Sequence, residues 1–250
     1  MRYFIQLSYK GTNYHGWQIQ PDQISIQEEI EGAFLIAFQK KIEIVGCGRT
    51  DTGVHAKNYW AHFEALQLPS SIEQLVFKLN NLLPKDIVVH QIKPVSDEAH
   101  ARFDATFRRY IYQITDVKNP FILEFAHYVI KKLDIAKMNE ACKVLYSYEN
   151  FKSFSKVKTQ VYTYNCKIMH AEWKKNKEGL ISFEIQANRF LRNMVRAIVG
   201  TMIDVGLGKI SINDFKQIIE SKNRSNAGTS VPAKGLFLVE IGYPNQILNK

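Results

Sequence analysis

Nine residues in the first quarter of the chain, Gly48-Arg49-Thr50-Asp51-Thr52-Gly53-Val54-His55-Ala56, lie between two apolar, strand-like runs and are too polar for a core. Gly48 and Gly53 allow backbone conformations that other residues resist, so the carboxylate of Asp51 can be presented at the tip of a loop held by two strands. Arg49 stands two residues away. A guanidinium favours the ionised carboxylate and can also grip a phosphate, so the pair suits an anionic nucleophile acting on a phosphate-bearing substrate. The same spacing also fits a structural loop in which Asp51 bonds nearby backbone amides.

Three further stretches carry groups that could join it. In Phe107-Arg108-Arg109-Tyr110-Ile111-Tyr112, strand alternation puts Arg108, Tyr110 and Tyr112 on one face and Phe107, Arg109 and Ile111 on the other. Basic groups interleaved with aromatics suit stacking on a base while its phosphate is held, although Tyr110 and Tyr112 fit equally as core aromatics. In Asn188 to Arg196, a helix would bring Arg189, Arg192 and Arg196 to one side at i, i+3 and i+7. That is the spacing of a solvated basic face, yet the run is so apolar that Arg196 needs a buried partner, for which a carboxylate would serve. The loop Tyr9-Lys10-Gly11-Thr12-Asn13-Tyr14-His15-Gly16-Trp17-Gln18 reads either as a grip for looped nucleic acid or as an ordinary glycine-rich connection. The 7 histidines form no metal-like cluster, and no phosphate-loop or dinucleotide fingerprint occurs, so no metal and no cofactor is expected.

The elements that must position these residues follow from periodicity. Tyr3, Ile5, Leu7 and Tyr9 alternate as a strand; Ser25 with Glu28 opens a helix bearing Ile26, Ile30, Ala33, Phe34, Ala37 and Phe38. Ile42 to Val45 enters the nine-residue loop and Tyr59 to Ala65 leaves it as strands. Ser70 with Glu73 caps a helix carrying Ile72, Leu75, Val76 and Leu79, and Ile87 to Ile92 closes a βαββαβ order. The second half repeats it: a strand from Thr106 to Thr115, a helix capped by Asp134, a hairpin of Tyr162 to Trp173 and Leu180 to Ala187 turning at Asn176 to Gly179, an apolar helix from Leu191 ending near Gly206 or Gly208, an added helix from Ser211, and a last strand from Gly235 to Ile241.

The expected class is therefore α+β, with two βαββαβ halves of the split βαβ, ferredoxin-like kind, residues 1–98 and 99–250, forming antiparallel sheets around a central active-site cleft. The stretches 69–71, 153–160 and 222–233 read as solvated surface loops.

Composition narrows the partners. Of 250 residues, 46% are hydrophobic and 23% charged, as in an ordinary globular protein, but 33 Lys and Arg against 24 Asp and Glu give a net charge of +9, which favours a polyanionic partner. Cys47, Cys142 and Cys166 are far apart and form no Cys-x-x-Cys pair, which suits reduced thiols in the cytoplasm. The start alternates polarity too early for a signal peptide, and no run is long enough to span a membrane.

The motif Gly48 to Ala56 resembles the catalytic motif of the TruA family of tRNA pseudouridine synthases. Tyr9 to Gln18, His100-Ala101-Arg102-Phe103, Arg109-Tyr110, Phe190 to Arg196 and Gly235-Leu236-Phe237-Leu238 resemble that family's other signatures in its order, over nearly the whole chain. Lys10 stands where the family usually has Asp, Thr52 where it often has Ala, and Asn58-Tyr59-Trp60 where Gly-Gln-Val is common. The resemblance implies that Asp51 is the catalytic aspartate, that Arg49 holds the target nucleotide out of its stack, that Tyr110 packs on the target base, that Arg196 pairs with the aspartate, and that Leu236 belongs to the substrate-binding set. It further implies tRNA as the partner, uridines on the 3′ side of the anticodon stem-loop as targets, a homodimer in which one RNA touches both subunits, and no cofactor.

The chemistry suits these groups. Converting uridine to pseudouridine breaks the glycosidic bond to nitrogen, rotates the uracil and rejoins it through carbon. A glycosidase needs two carboxylates, but an isomerase keeps its leaving group and excludes water, so one aspartate can suffice. Asp51 could attack the anomeric carbon, attack the uracil ring, or assist glycal formation. Asp51-Thr52-Gly53 also spells the aspartic protease triplet. That enzyme shares one proton between two aspartates, whereas here the triplet occurs once and beside Arg49. A non-catalytic RNA-binding protein is the other alternative. It leaves unexplained a carboxylate placed where it would repel phosphate.

Overall fold

A computed structural model describes residues 1–157 and 161–248 of the chain. It divides into two compact units, Met1–Phe107 with Leu238–Lys250, and Arg108–Phe237. These differ in extent from the expected halves 1–98 and 99–250. The final strand pattern, read as closing the second half, returns its residues from Leu238 onward to the first unit.

The first unit contains β1 (Arg2–Tyr9), α1 (Ile26–Phe38), β2 (Ile44–Gly46), β3 (His55–Glu64), α2 (Ile72–Leu82) and β4 (Ile87–Val95), the expected βαββαβ order. β1 is central, antiparallel to both β3 and β4. Tyr3, Ile5 and Leu7 face the same side as Phe63, Ala61 and Tyr59, and Phe63 packs its ring 4.8 Å from that of Phe34 on α1. Ser25 caps α1 by accepting from the Glu28 N–H at 3.2 Å. Ser71, not Ser70, caps α2, accepting from Gln74 N–H at 3.3 Å. The cap is one residue later because Ser71 is the last residue with extended ψ before the helical run. On the opposite sheet face Phe4 is also fully buried, its ring 5.4 Å from Tyr243, so β1 is covered on both sides there.

The second unit contains β5 (Phe107–Thr115) from its second residue onward, β6 (His127–Tyr128), α3 (Ile135–Leu145), β7 (Ile168–Lys175), β8 (Leu180–Ala187), α4 (Met194–Gly206) and α5 (Ile212–Glu220). β9 (Leu236–Gly242) and α6 (Asn245–Leu248) end the chain. β8 lies between β5 and β7, antiparallel to both, and β6 adds a short parallel pairing to β5 that the alternation did not reveal. β8 alternates without exception: Ile181, Phe183, Ile185 and Ala187 are buried. The hairpin turns where expected, with the Asn176 N–H donating to the Leu180 carbonyl at 2.9 Å and Gly179 at φ 87°. α4 is buried nearly all round, and a Cβ on its Gly206 would lie 2.6 Å from Met138 Sδ on α3, so this glycine permits the close crossing.

Three further segments depart from expectation. β7 begins at Ile168, not Tyr162, because residues 161–167 form an irregular segment tied to 149–151 instead of to the sheet. α4 begins at Met194, not Leu191, because Asn193 adopts a left-handed conformation, φ 67°, which a helix cannot continue through. Arg189 and Arg192 therefore lie before the helix and do not share a helical face with Arg196. The 222–233 stretch is not a loose solvated loop. Arg224 donates to the carbonyls of Ala227 and Gly228 and to Ser230 Oγ, and a Cβ on Gly200 of α4 would lie 1.8 Å from the Thr229 carbonyl oxygen. Residues 158–160 of the expected 153–160 loop lie outside the described residues.

Among the described residues no helix is long and apolar enough to cross a membrane. All three cysteines are free and buried, and burial pushes the Cys142 thiol up to about 12 and the Cys166 thiol up to about 11, so both stay protonated and unreactive.

Candidate active site

The motif loop joins two antiparallel strands. β2 pairs with β3 at Ile44 with Phe63 and Gly46 with Ala61, and the Cys47 N–H extends the ladder to the Trp60 carbonyl at 2.9 Å. At the other end the Val54 N–H donates to the Asp51 carbonyl at 3.1 Å, closing a tight turn whose third residue, Gly53, has φ 77°. Only Gly53 of the two motif glycines meets the conformational argument. A Cβ on Gly48 would have no heavy atom within 4 Å and its φ is not left-handed, so its expected special freedom is not required. Asp51 is half-buried and Arg49 exposed at the loop surface.

Beneath the loop lies the segment Tyr9 to Gln18. Tyr9, Tyr14 and Trp17 are buried, so their rings form a floor and are not platforms for nucleobases. Trp17 stacks on Tyr59 with ring centroids 4.2 Å apart, and the Tyr59 hydroxyl donates to the Gly48 carbonyl. The Trp17 N–H donates to the Thr50 carbonyl and the Gly53 N–H to the Tyr14 carbonyl, both at 3.3 Å. The Tyr9 and Thr50 hydroxyls are hydrogen-bonded at 2.9 Å, and His55 Nδ1 accepts from the Gly11 N–H at 3.0 Å. The two segments touch so closely that a Cβ on Gly11 would lie 2.0 Å from the Val54 carbonyl oxygen, and one on Gly16 2.3 Å from that of Thr50. Backbone on both sides of Asp51 is thus fixed by partners from one early loop.

Asp86, at the turn before β4, anchors that early loop in turn. It accepts from the Tyr14 hydroxyl at 2.5 Å and from Asn13 Nδ2 at 3.1 Å, and its backbone carbonyl takes the Lys10 N–H at 2.9 Å. Burial, then the Asp86 carboxylate, raise the Tyr14 phenol well above its usual range and keep it a neutral donor. Sequence reasoning missed Asp86, because a carboxylate after Pro84-Lys85 reads as an ordinary turn residue.

The other expected site residues belong to the second unit. Tyr110 on β5 is half-buried, paired with Ile185 of β8 on the core-facing side, with its ring edge-on to Phe190 at 5.2 Å. Tyr112, two residues on, is fully buried, and its hydroxyl donates to the Pro232 carbonyl at 2.8 Å, so it is a core residue. Arg109 is on the opposite face, donating to Gln186 Oε1 at 2.9–3.0 Å with Glu184 at 3.5 Å. Arg196, in the first turn of α4, is half-buried, and its Nε donates to the Val231 carbonyl at 2.7 Å while the Val231 N–H returns to the Arg196 carbonyl. The Asn193 side chain donates to Ser230 Oγ at 2.6 Å and the buried Thr201 hydroxyl accepts from the Gly228 N–H at 2.9 Å, so the strap 224–231 orients Arg196. Leu236 opens β9 with its side chain buried. No group of three or more His, Cys, Asp or Glu side chains among the described residues could hold a metal ion.

A family model described as tRNA pseudouridine synthase matches residues 141–244, a span that includes Arg196 and Leu236 but not the Asp51 loop. Full-length relatives extend the similarity. A protein of Bacteroides fragilis named tRNA pseudouridine synthase A is 53% identical over 98% of this chain and 98% of its own. Proteins of the same name from Parabacteroides distasonis and Bacillus licheniformis are 52% and 39% identical, covering 98% of this chain and 97% and 100% of theirs. The chain belongs to the tRNA pseudouridine synthase A family. Among solved structures, the archaeal box H/ACA sRNP Nop10-Cbf5 complex aligns with 93% of this chain and 58% of its own at 8% identity and a TM-score of 0.35, too loose a likeness to support an argument.

Proposed function

We propose that this protein isomerises uridine to pseudouridine in tRNA, on the 3′ side of the anticodon stem-loop, with Asp51 as its catalytic carboxylate and without a cofactor. The observation that carries the reading is the clamped loop. The Asp51 turn is hydrogen-bonded from beneath by Tyr9, Tyr14 and Trp17 and packed closely by Gly16, while Asp51 is left half-buried and Arg49 exposed. Holding a reacting group in one geometry converts binding into rate. Relatives alike over their whole length bear the matching name.

In this reading the target uridine leaves its stack at a cost of a few kcal/mol. Arg49 offsets that cost by holding the phosphate, and Tyr110, already braced edge-on by Phe190, by packing on the base. Arg196, oriented by the Val231 carbonyl, and Leu236 complete the substrate-binding set of the second unit. Asp51 then either attacks the anomeric carbon or the ring, or assists a glycal; each route ends with carbon in place of nitrogen at the sugar. The protein works as a homodimer in the cytoplasm.

The test is Asp51→Asn. Pseudouridine formation in tRNA transcripts should fall by about a thousandfold or more while tRNA binding is kept, as expected when a nucleophile is lost but its surroundings remain. Retention of full activity would sink the assignment.

A further inference from the structure

We propose that a basic and aromatic surface of the second unit, formed by Tyr162 with Lys152, Lys156, Lys167, Arg189 and Arg192, binds the RNA strand adjoining the target nucleotide. Three irregular segments, 149–157, 161–168 and 188–192, converge there. The Phe151 N–H donates to the Tyr164 carbonyl at 3.0 Å and the Cys166 N–H to the Glu149 carbonyl at 2.8 Å. Arg189 Nη1 reaches the Thr163 carbonyl at 3.4 Å, the Lys167 N–H donates to Asn188 Oδ1 at 2.8 Å, and the Lys156 N–H donates to the Arg192 carbonyl at 3.0 Å. Those segments carry the five cations named above against one carboxylate, Glu149.

Their aromatic content separates this surface from an ordinary solvated lysine face. Tyr162 is fully exposed, a large ring with no packing role in the fold. The Lys152 ammonium lies over the neighbouring Tyr164 ring at 5.5 Å, which holds that lysine beside the segment and not free in solvent. A cationic surface carrying an open ring is the chemistry of single-stranded nucleic acid, phosphates on the cations and a base on the ring. Arg189 is also the residue before Phe190, whose ring braces Tyr110, so this cationic segment joins the proposed base platform within one residue of chain. A nucleotide neighbouring a flipped uridine would have Arg189 for its phosphate, and Tyr162, next to the Thr163 carbonyl that Arg189 holds, for its base. This step rests on the proposed role of Tyr110 at the target base.

The experiment measures both the Kd for an unmodified full-length tRNA transcript and the KM and kcat of pseudouridine formation. Tyr162→Ala should raise Kd and KM by roughly five- to a hundredfold, the span of one base–aromatic stack, with kcat retained, and Tyr162→Phe should stay near the parent protein. Lys152→Gln with Lys156→Gln should make the dependence of log Kd on log salt shallower by about 0.7 per lysine. Equal Kd for the parent protein and Tyr162→Ala, equal losses in Tyr162→Phe and Tyr162→Ala, or an unchanged salt slope would each overturn the inference. Absence of pseudouridine with the parent protein would instead overturn the proposed activity, and the Kd comparison would still decide the role of Tyr162.

Discussion

The hydroxyls of Tyr9 and Thr50 are hydrogen-bonded at 2.9 Å in a buried position, and Thr50 is the residue before Asp51. The end of the first strand thus sets the backbone of the motif loop directly. Tyr9→Phe removes one partner and strands the other, so a destabilisation of about 1–2 kcal/mol is expected in denaturant unfolding, with pseudouridine formation falling more than tRNA binding. An unchanged kcat would show that the bond serves the core alone.

Gly16 and Gly48 should respond oppositely to alanine. Gly16 has φ 88° and would place a Cβ 2.3 Å from the Thr50 carbonyl oxygen, whereas Gly48 has open space around it. Gly16→Ala is expected to cost about 3 kcal/mol and to impair activity, and Gly48→Ala to leave stability within about 0.5 kcal/mol. Thermal melts of the two proteins side by side make the comparison.

Tyr110 is expected to work through its ring. Tyr110→Phe should keep most of the tRNA affinity and Tyr110→Ala should lose it by about tenfold, read by filter binding. Equal affinity in all three proteins would remove Tyr110 from the site.

Stability should fall in mild acid because of His62. Its ring is buried on β3, its Nδ1 accepts from the Ala101 N–H at 3.2 Å, and burial, then His100 and Arg2, lower its pKa to about 4. The unfolded chain takes up that proton near pH 6.5 while the folded one resists it, so the stabilisation is complete above pH 6.5 and is lost progressively as pH falls toward 4. The loss should be on the order of 2–3 kcal/mol. His62→Asn, whose Oδ1 can accept in place of Nδ1, should flatten that part of the pH–stability curve.

Thr201 offers a test of the strap over α4. Its buried hydroxyl donates to the Ala197 carbonyl at 2.8 Å and accepts from the Gly228 N–H at 2.9 Å. Thr201→Val leaves that N–H without its partner, so a loss of about 1–2 kcal/mol is expected, with faster hydrogen exchange confined to residues 224–231.

The sequence by itself determined the α+β class, the βαββαβ order of the first unit, and the polar loop carrying Asp51 and Arg49. These follow from local causes: alternation in Tyr3, Ile5 and Leu7, the cap at Ser25, and the reluctance of a core to accept an aspartate and an arginine. Only the tertiary structure decided what those local patterns leave open. Tyr9, Tyr14 and Trp17 have the composition of a nucleic-acid grip, yet they are a floor, because burial depends on which distant segment lies against them. Tyr110 and Tyr112 share one strand face, and a Pro232 carbonyl far along the chain makes one a core residue, while the other stays half-buried against Phe190. The 222–233 stretch is as polar as a free loop and is nevertheless fastened to α4, since Gly200 lets the Thr229 carbonyl approach. Periodicity reports which face of an element is apolar; it carries no information about which remote backbone will come to rest on it.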